Sequence, residues 1–165
     1  MIFGLSIPAF TTVHVVISLV GILAGLVWLG ALLRGRWAPR WNAAFLSLTF
    51  ATTITGFLFP ITALTPALIV GAVSLAVLLL AAAALLVFAR QGVWHKLYTG
   101  SAVFALYLNA FVAVVQAYQK LPALNRLAPT GTEPAFLASQ AALLLAFAIA
   151  GFVAVRPKSA VLAEC

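Results

Sequence analysis

Apolar residues run through this chain in long blocks, broken by short polar stretches that carry nearly all of its charge. Blocks of about 20 apolar residues predict membrane-crossing helices. They fall at residues 9–33, 42–59, 67–89, 97–118 and 135–155. The expected fold is therefore all-α, a single integral membrane domain built as a bundle of five transmembrane helices.

The fourth block organises the others. Tyr98 to Lys120 reads YTGSAVFALYLNAFVAVVQAYQK. At about 100° per residue, Tyr98, Ser101, Asn109, Gln116 and Lys120 lie on one stripe of a helix, opposite Phe, Val, Leu and Ala. Amides find no partners in hydrocarbon. The stripe is expected to face protein, with the remaining spans gathered around it.

The other spans carry their own stripes. In the first, His14, Ser18, Gly21, Gly25 and Trp28 recur at spacings of three and four. The GxxxG pair lets a second backbone approach closely, within the chain or from another copy. The second span places Thr49, Thr52 and Gly56 on one face with Thr53 and Thr55 beside it, and the ordinary role of such hydroxyls is to bond a carbonyl of the preceding turn. The short connection from Pro60 to Pro66 makes the second and third spans antiparallel neighbours. Ser74 is the third span's polar side chain, and no chemistry is expected there. Gln140, Phe147 and Gly151 share one side of the fifth span, the expected partner of the fourth span's stripe.

The outer connection, residues 119–134, is the long loop. Leu121, Leu124 and Leu127 recur every third residue and Pro122 suits a first helical turn, which predicts a short interfacial helix. Thr132 is the expected N-cap of the fifth span, with Glu133 in its first turn facing the positive helix end.

Composition excludes a soluble fold: 65% of the residues are hydrophobic and 7% charged, more apolar surface than a small globule can hide. The formal charge is +7, but the cations sit in short loops rather than on one face, so nucleic acid is not an expected partner. Arg34, Arg36, Arg40, Arg90, Lys96, Arg156 and Lys158 fall on one side, leaving Lys120 and Arg126 for the other. The positive-inside rule then puts the N-terminus outside and the C-terminus in the cytoplasm. Trp28, Trp37, Trp41 and Trp94 lie toward the basic side, as an interfacial aromatic belt would. The first 33 residues lack Lys and Arg, so residues 9–33 are expected to remain as a helix rather than be cleaved. With Glu133 and Glu164 the only acidic residues and Cys165 the only cysteine, neither a catalytic carboxylate pair nor a disulfide framework is expected.

This topology converts positions into depths. His14, Gln116 and Gln140 lie within roughly 3–8 Å of the outer boundary at ~1.5 Å per residue. Thr53 and Thr55 are at similar depth, and Asn109 is further in. The expectation is an outer-leaflet polar cluster of His14, Thr53, Asn109, Gln116 and Gln140, with Ser18, Gly21, Gly25, Gly56 and Gly151 packing the helices together. Such a cluster serves either as interhelical hydrogen bonding or as a pocket for a quinone-like molecule or a lipid head group.

Other chemistry fares less well. A haem held by two histidines is not expected, because His14 and His95 lie near opposite faces, roughly 20 Å apart by helix rise. No metal site is expected, since His14 has no His, Cys or carboxylate at its own depth. An ion pathway would show ionisable groups through the span, and His14 is the single one, so a transporter ranks last.

Three stretches carry a resemblance: HVVISLVGI from His14, TTITGFLFP from Thr52, and ALYLNAFVAVVQAYQKLPALNRLAPTGTEP from Ala105 to Pro134. In these the chain resembles a group of small bacterial inner-membrane proteins without an assigned function. The resemblance implies a multi-pass protein of the cytoplasmic membrane and brings no activity or cofactor. Together these readings favour a non-catalytic accessory or scaffold subunit, in contact with the lipid bilayer and with a membrane-protein partner or copies of itself. Binding of an amphipathic ligand is the alternative.

Overall fold

A computed structural model describes residues 2, 4–60 and 66–156. Lys158, Glu164, Cys165 and residues 61–65 of the connection between the second and third spans lie outside them. The elements are α1 (Ile7–Leu33), α2 (Pro39–Phe57), α3 (Pro66–Leu86), α4 (Val93–Lys120), α5 (Pro122–Asn125) and α6 (Pro134–Val155). Proline opens α2, α3, α5 and α6, where its missing N–H costs nothing and its fixed φ already suits a helix. In α1, Pro8 lies in the first turn and Ser6 caps, its hydroxyl accepting from the Ala9 N–H at 3.4 Å.

Four helices, α1, α3, α4 and α6, are long and apolar enough to cross a membrane. The fifth expected span, α2, has 19 residues, but Arg40, Asn42 and its four threonines dilute its apolar character. It nevertheless runs antiparallel along the length of α1. The contacts recede in step: Phe10 with Phe59, His14 with Thr55, Ser18 with Thr52, Gly21 with Leu48 and Gly25 with Phe45.

Helix α4 touches every other helix. Tyr98, Thr99, Ser101, Ala102, Val103, Ala105 and Leu106 are all buried along its first half. Glycine makes that closeness attainable. A Cβ on Gly25 would stand 2.5 Å from Leu106 Cδ1 and 2.8 Å from Phe45 Cδ2, and one on Gly21 3.2 Å from Leu48 Cβ. The GxxxG stripe thus packs α1 onto α2 and α4 of the same chain.

The basic end is densely closed. Trp28 is fully buried, stacked on Phe45 at 5.5 Å and edge-on to Tyr98 at 6.2 Å. This corrects its expected place in an interfacial belt: the stripe that carries Gly21 and Gly25 turns Trp28 inward. The Tyr98 hydroxyl donates to Asn42 Oδ1, and the Arg90 guanidinium lies 3.6 Å from the centre of the Trp37 ring. Two consecutive left-handed residues, Ala89 (φ 47°) and Arg90 (φ 57°), lie in the turn that follows α3. Burial against the aromatic rings lowers the Arg90 pKa from its ordinary value.

Helix α6 packs on α4, but not on the stripe expected for it. Gln140 Nε2 donates to the Phe111 carbonyl at 3.4 Å, Phe147 meets Tyr107 at 5.9 Å, and Gly151 faces Val103. Those α4 residues lie off the Asn109 and Gln116 stripe, so Gln140 is held apart from the other predicted polar groups. The loop before α6 also differs from expectation. Glu133, not Thr132, is the N-cap residue, and its carboxylate turns back to accept from the Thr130 N–H at 3.0 Å, the Thr130 hydroxyl at 2.9 Å and the Thr132 N–H at 3.0 Å. Tyr118 fastens this loop end by donating to the Ala135 carbonyl at 3.1 Å, while Asn125 Nδ2 donates to the Tyr118 carbonyl at 3.2 Å.

Candidate functional site

Away from the basic end, the α1–α2 hairpin and the α3–α4 hairpin separate and leave a cavity of about 690 Å³ between them. Bulk decides where the split begins. On the basic side Trp28, Phe45, Leu78 and Leu106 fill the space. Beyond them the walls include the small residues Gly56, Gly71, Ala105 and Ala113, although Phe57 of α2 still reaches α3, where a Cβ on Gly71 would stand 3.4 Å from its ring. Large, partly polar concavities of this size are the usual form of a small-molecule site.

Each helix of the two hairpins contributes polar groups. Helix α1 supplies Thr11, His14 and Ser18; α2 supplies Thr49, Thr52 and Thr53; α3 supplies Ser74; α4 supplies Asn109, Gln116 and Lys120. Of the sequence-predicted residues, His14, Thr53, Asn109 and Gln116 line this one space, and Gln140 does not. The third span, expected to be chemically silent, provides buried Ser74. A lone serine in an Ala- and Leu-rich block carries no sequence signal of its own. Thr49 was legible as a member of the α2 face, although not as a cavity residue.

The lining is arranged in two tiers. Near the mouth, His14 Nδ1 lies 2.8 Å from Thr55 Oγ1. That hydroxyl donates to the Ala51 carbonyl at 2.7 Å, and a hydroxyl has one proton to give. His14 Nδ1 is therefore the donor to Thr55, which in the neutral form of the ring leaves Nε2 as an acceptor. The Ser18 hydroxyl bonds the His14 carbonyl at 2.9 Å, and edge-on contact with Phe59 at 5.4 Å holds the ring from its other side. Gly56 packs beside it, where a Cβ would make an ordinary contact 3.7 Å from His14 Cε1.

The deep tier is Thr49, Thr53, Ser74 and Asn109. Thr53 closes its hydroxyl onto the Thr49 carbonyl at 2.9 Å. The Thr49 hydroxyl and Asn109 Nδ2 are both buried, and neither has a hydrogen-bond partner among the described residues. Buried polar groups are ordinarily paired, so these two mark where the cavity has unused hydrogen-bonding capacity. Its one charged side chain, Lys120, is exposed at the mouth.

What this arrangement can do is bind by hydrogen bonding and apolar contact. Among the described residues no three His, Cys, Asp or Glu side chains gather as a metal site would require. No protein-family model matches the chain, and comparison with curated proteins and with solved structures likewise finds no match.

Proposed function

We propose that this protein is a bacterial inner-membrane protein that binds a small amphipathic molecule between its two helical hairpins. The reading rests on one observation: a cavity of about 690 Å³ lined by His14, Asn109, Gln116, Thr49 and Lys120 in a protein with four membrane-length apolar helices. Polar groups at that depth are costly unless they meet one another or a ligand. Two of those in the deep tier have no partner among the described residues.

In this reading α2 crosses the membrane as well, because it lies along the whole of α1, and five crossings place the termini on opposite sides. The cationic loops set the N-terminus outside and the C-terminus in the cytoplasm, so the cavity opens in the outer leaflet. No residue is assigned a catalytic role.

The test is an organic extract of protein purified in mild detergent, compared with Ala113→Phe, which fills the cavity from α4. An amphiphile at about one per chain in the parent, lost in the variant with folding retained, is the expected result. An extract free of any retained amphiphile, with a stoichiometric membrane-protein partner in its place, would overturn the proposal in favour of an accessory-subunit role.

A further inference from the structure

Building on that reading, we infer that the bound molecule carries an uncharged, carbonyl-bearing head of the quinone type, and that this head sits at the cavity floor, not at its mouth. Among the described residues four buried side-chain polar atoms lack a partner; Trp28 Nε1 and Gln140 Oε1 lie away from the cavity, and the two whose residues line it are at its floor. Thr49 is 1% exposed, and its hydroxyl has no partner among the described residues. Asn109 Nδ2 is buried beside the same cavity and is likewise unmatched. Both can donate, and a carbonyl oxygen is an acceptor that suits either.

Depth and charge narrow the class. Asn109 lies eleven residues before Lys120 in α4, about 16 Å along the axis, near the middle of a hydrocarbon layer of about 30 Å. A phosphate or ammonium brought there would lose its hydration with no opposite charge to replace it. The floor holds only hydroxyls and an amide. A neutral carbonyl enters hydrocarbon readily, and its apolar tail finds Val70, Gly71, Leu108 and Val112 along the same walls. Lys120 and Gln116 near the mouth then contact the tail or solvent rather than the head.

Thr49→Val separates the floor from the fold, because the hydroxyl it removes has no hydrogen-bond partner among the described residues. The purified chain, Thr49→Val and Asn109→Leu are titrated calorimetrically with a decyl-substituted benzoquinone and with phosphatidylglycerol in mixed micelles, and the infrared carbonyl stretch of the bound quinone is recorded. Expected is quinone binding that weakens by about tenfold or more in each variant, the value of one hydrogen bond of ~1.4 kcal/mol. The lowered carbonyl frequency should return toward that of free quinone, with the thermal midpoint of Thr49→Val equal to or above the parent's. Quinone binding unchanged in both variants, or phosphatidylglycerol binding that vanishes in Lys120→Gln, would overturn the floor assignment and leave the cavity reading intact. Failure of both probes to bind, together with no effect of Ala113→Phe on the extract, would remove the cavity reading as well.

Discussion

A threonine inside a membrane helix usually closes its hydroxyl onto a carbonyl one turn back. Thr53 and Thr55 do so, to Thr49 and Ala51. Thr49 does not, and the difference is visible only once α1, α3 and α4 are in place around it. A second residue-scale feature titrates. Glu133 has its pKa lowered from 4.5 to about 2, chiefly because the Thr130 backbone N–H donates to the carboxylate, with the Thr130 hydroxyl and the Thr132 N–H adding to it. A carboxyl depressed in the folded chain stabilises it above the unfolded pKa, since the unfolded state binds the proton first. Amide protection at Thr130 and Thr132 should therefore be full near neutrality, decline as pH falls below about 4.5, and be lost near 2. In Glu133→Gln the decline across that window should disappear, and a decline of the same size in the variant would show that another group sets it.

At the scale of elements, the glycines of α1 are not equivalent. Gly25 admits Leu106 and Phe45, whereas a Cβ on Gly30 would meet nothing within 4 Å. Gly25→Ala is expected to destabilise the bundle by about 1–3 kcal/mol, as crowding of a packed interior does. Gly30→Ala is expected to stabilise it by up to about 1 kcal/mol through helix preference alone. Reversible unfolding in mixed detergent measures both, and equal effects would mean that α1 does not approach α4 as closely as its backbone implies. The same logic explains α6. Its Gly151 and Phe147 fit the Val103 and Tyr107 side of α4, leaving the Asn109 side to the other hairpin. Helical periodicity identified the faces correctly as faces, but two faces of one helix compete for neighbours, and the choice depends on shape.

At the scale of the molecule, the bundle is shut at its basic end by Trp28, Phe45 and Tyr98, and holds its cavity toward the other. Orientation and crossing number are tested together by single cysteines in a Cys165→Ser background. With a membrane-impermeant maleimide, the proposed topology expects Leu58→Cys and Thr132→Cys to label from the outer side. Arg36→Cys should label only after the membrane is permeabilised. Labelling of Leu58→Cys and Arg36→Cys from the same side would mean that α2 does not cross, and the exact reverse pattern would invert the protein.

By itself the sequence determined the apolar helices, the short helix begun by Pro122, the central place of α4 and the packing role of Gly21 and Gly25. Each follows from local rules: block length against bilayer thickness, the fixed φ of proline, and the 100° advance of side chains around a helix. Only the tertiary structure decided that Ser74 joins His14, Thr53, Asn109 and Gln116 around one cavity, that Gln140 turns elsewhere, and that Trp28 is core. Those outcomes depend on which surfaces fill space against which others, and van der Waals fit between helices distant in sequence leaves no periodic trace along the chain.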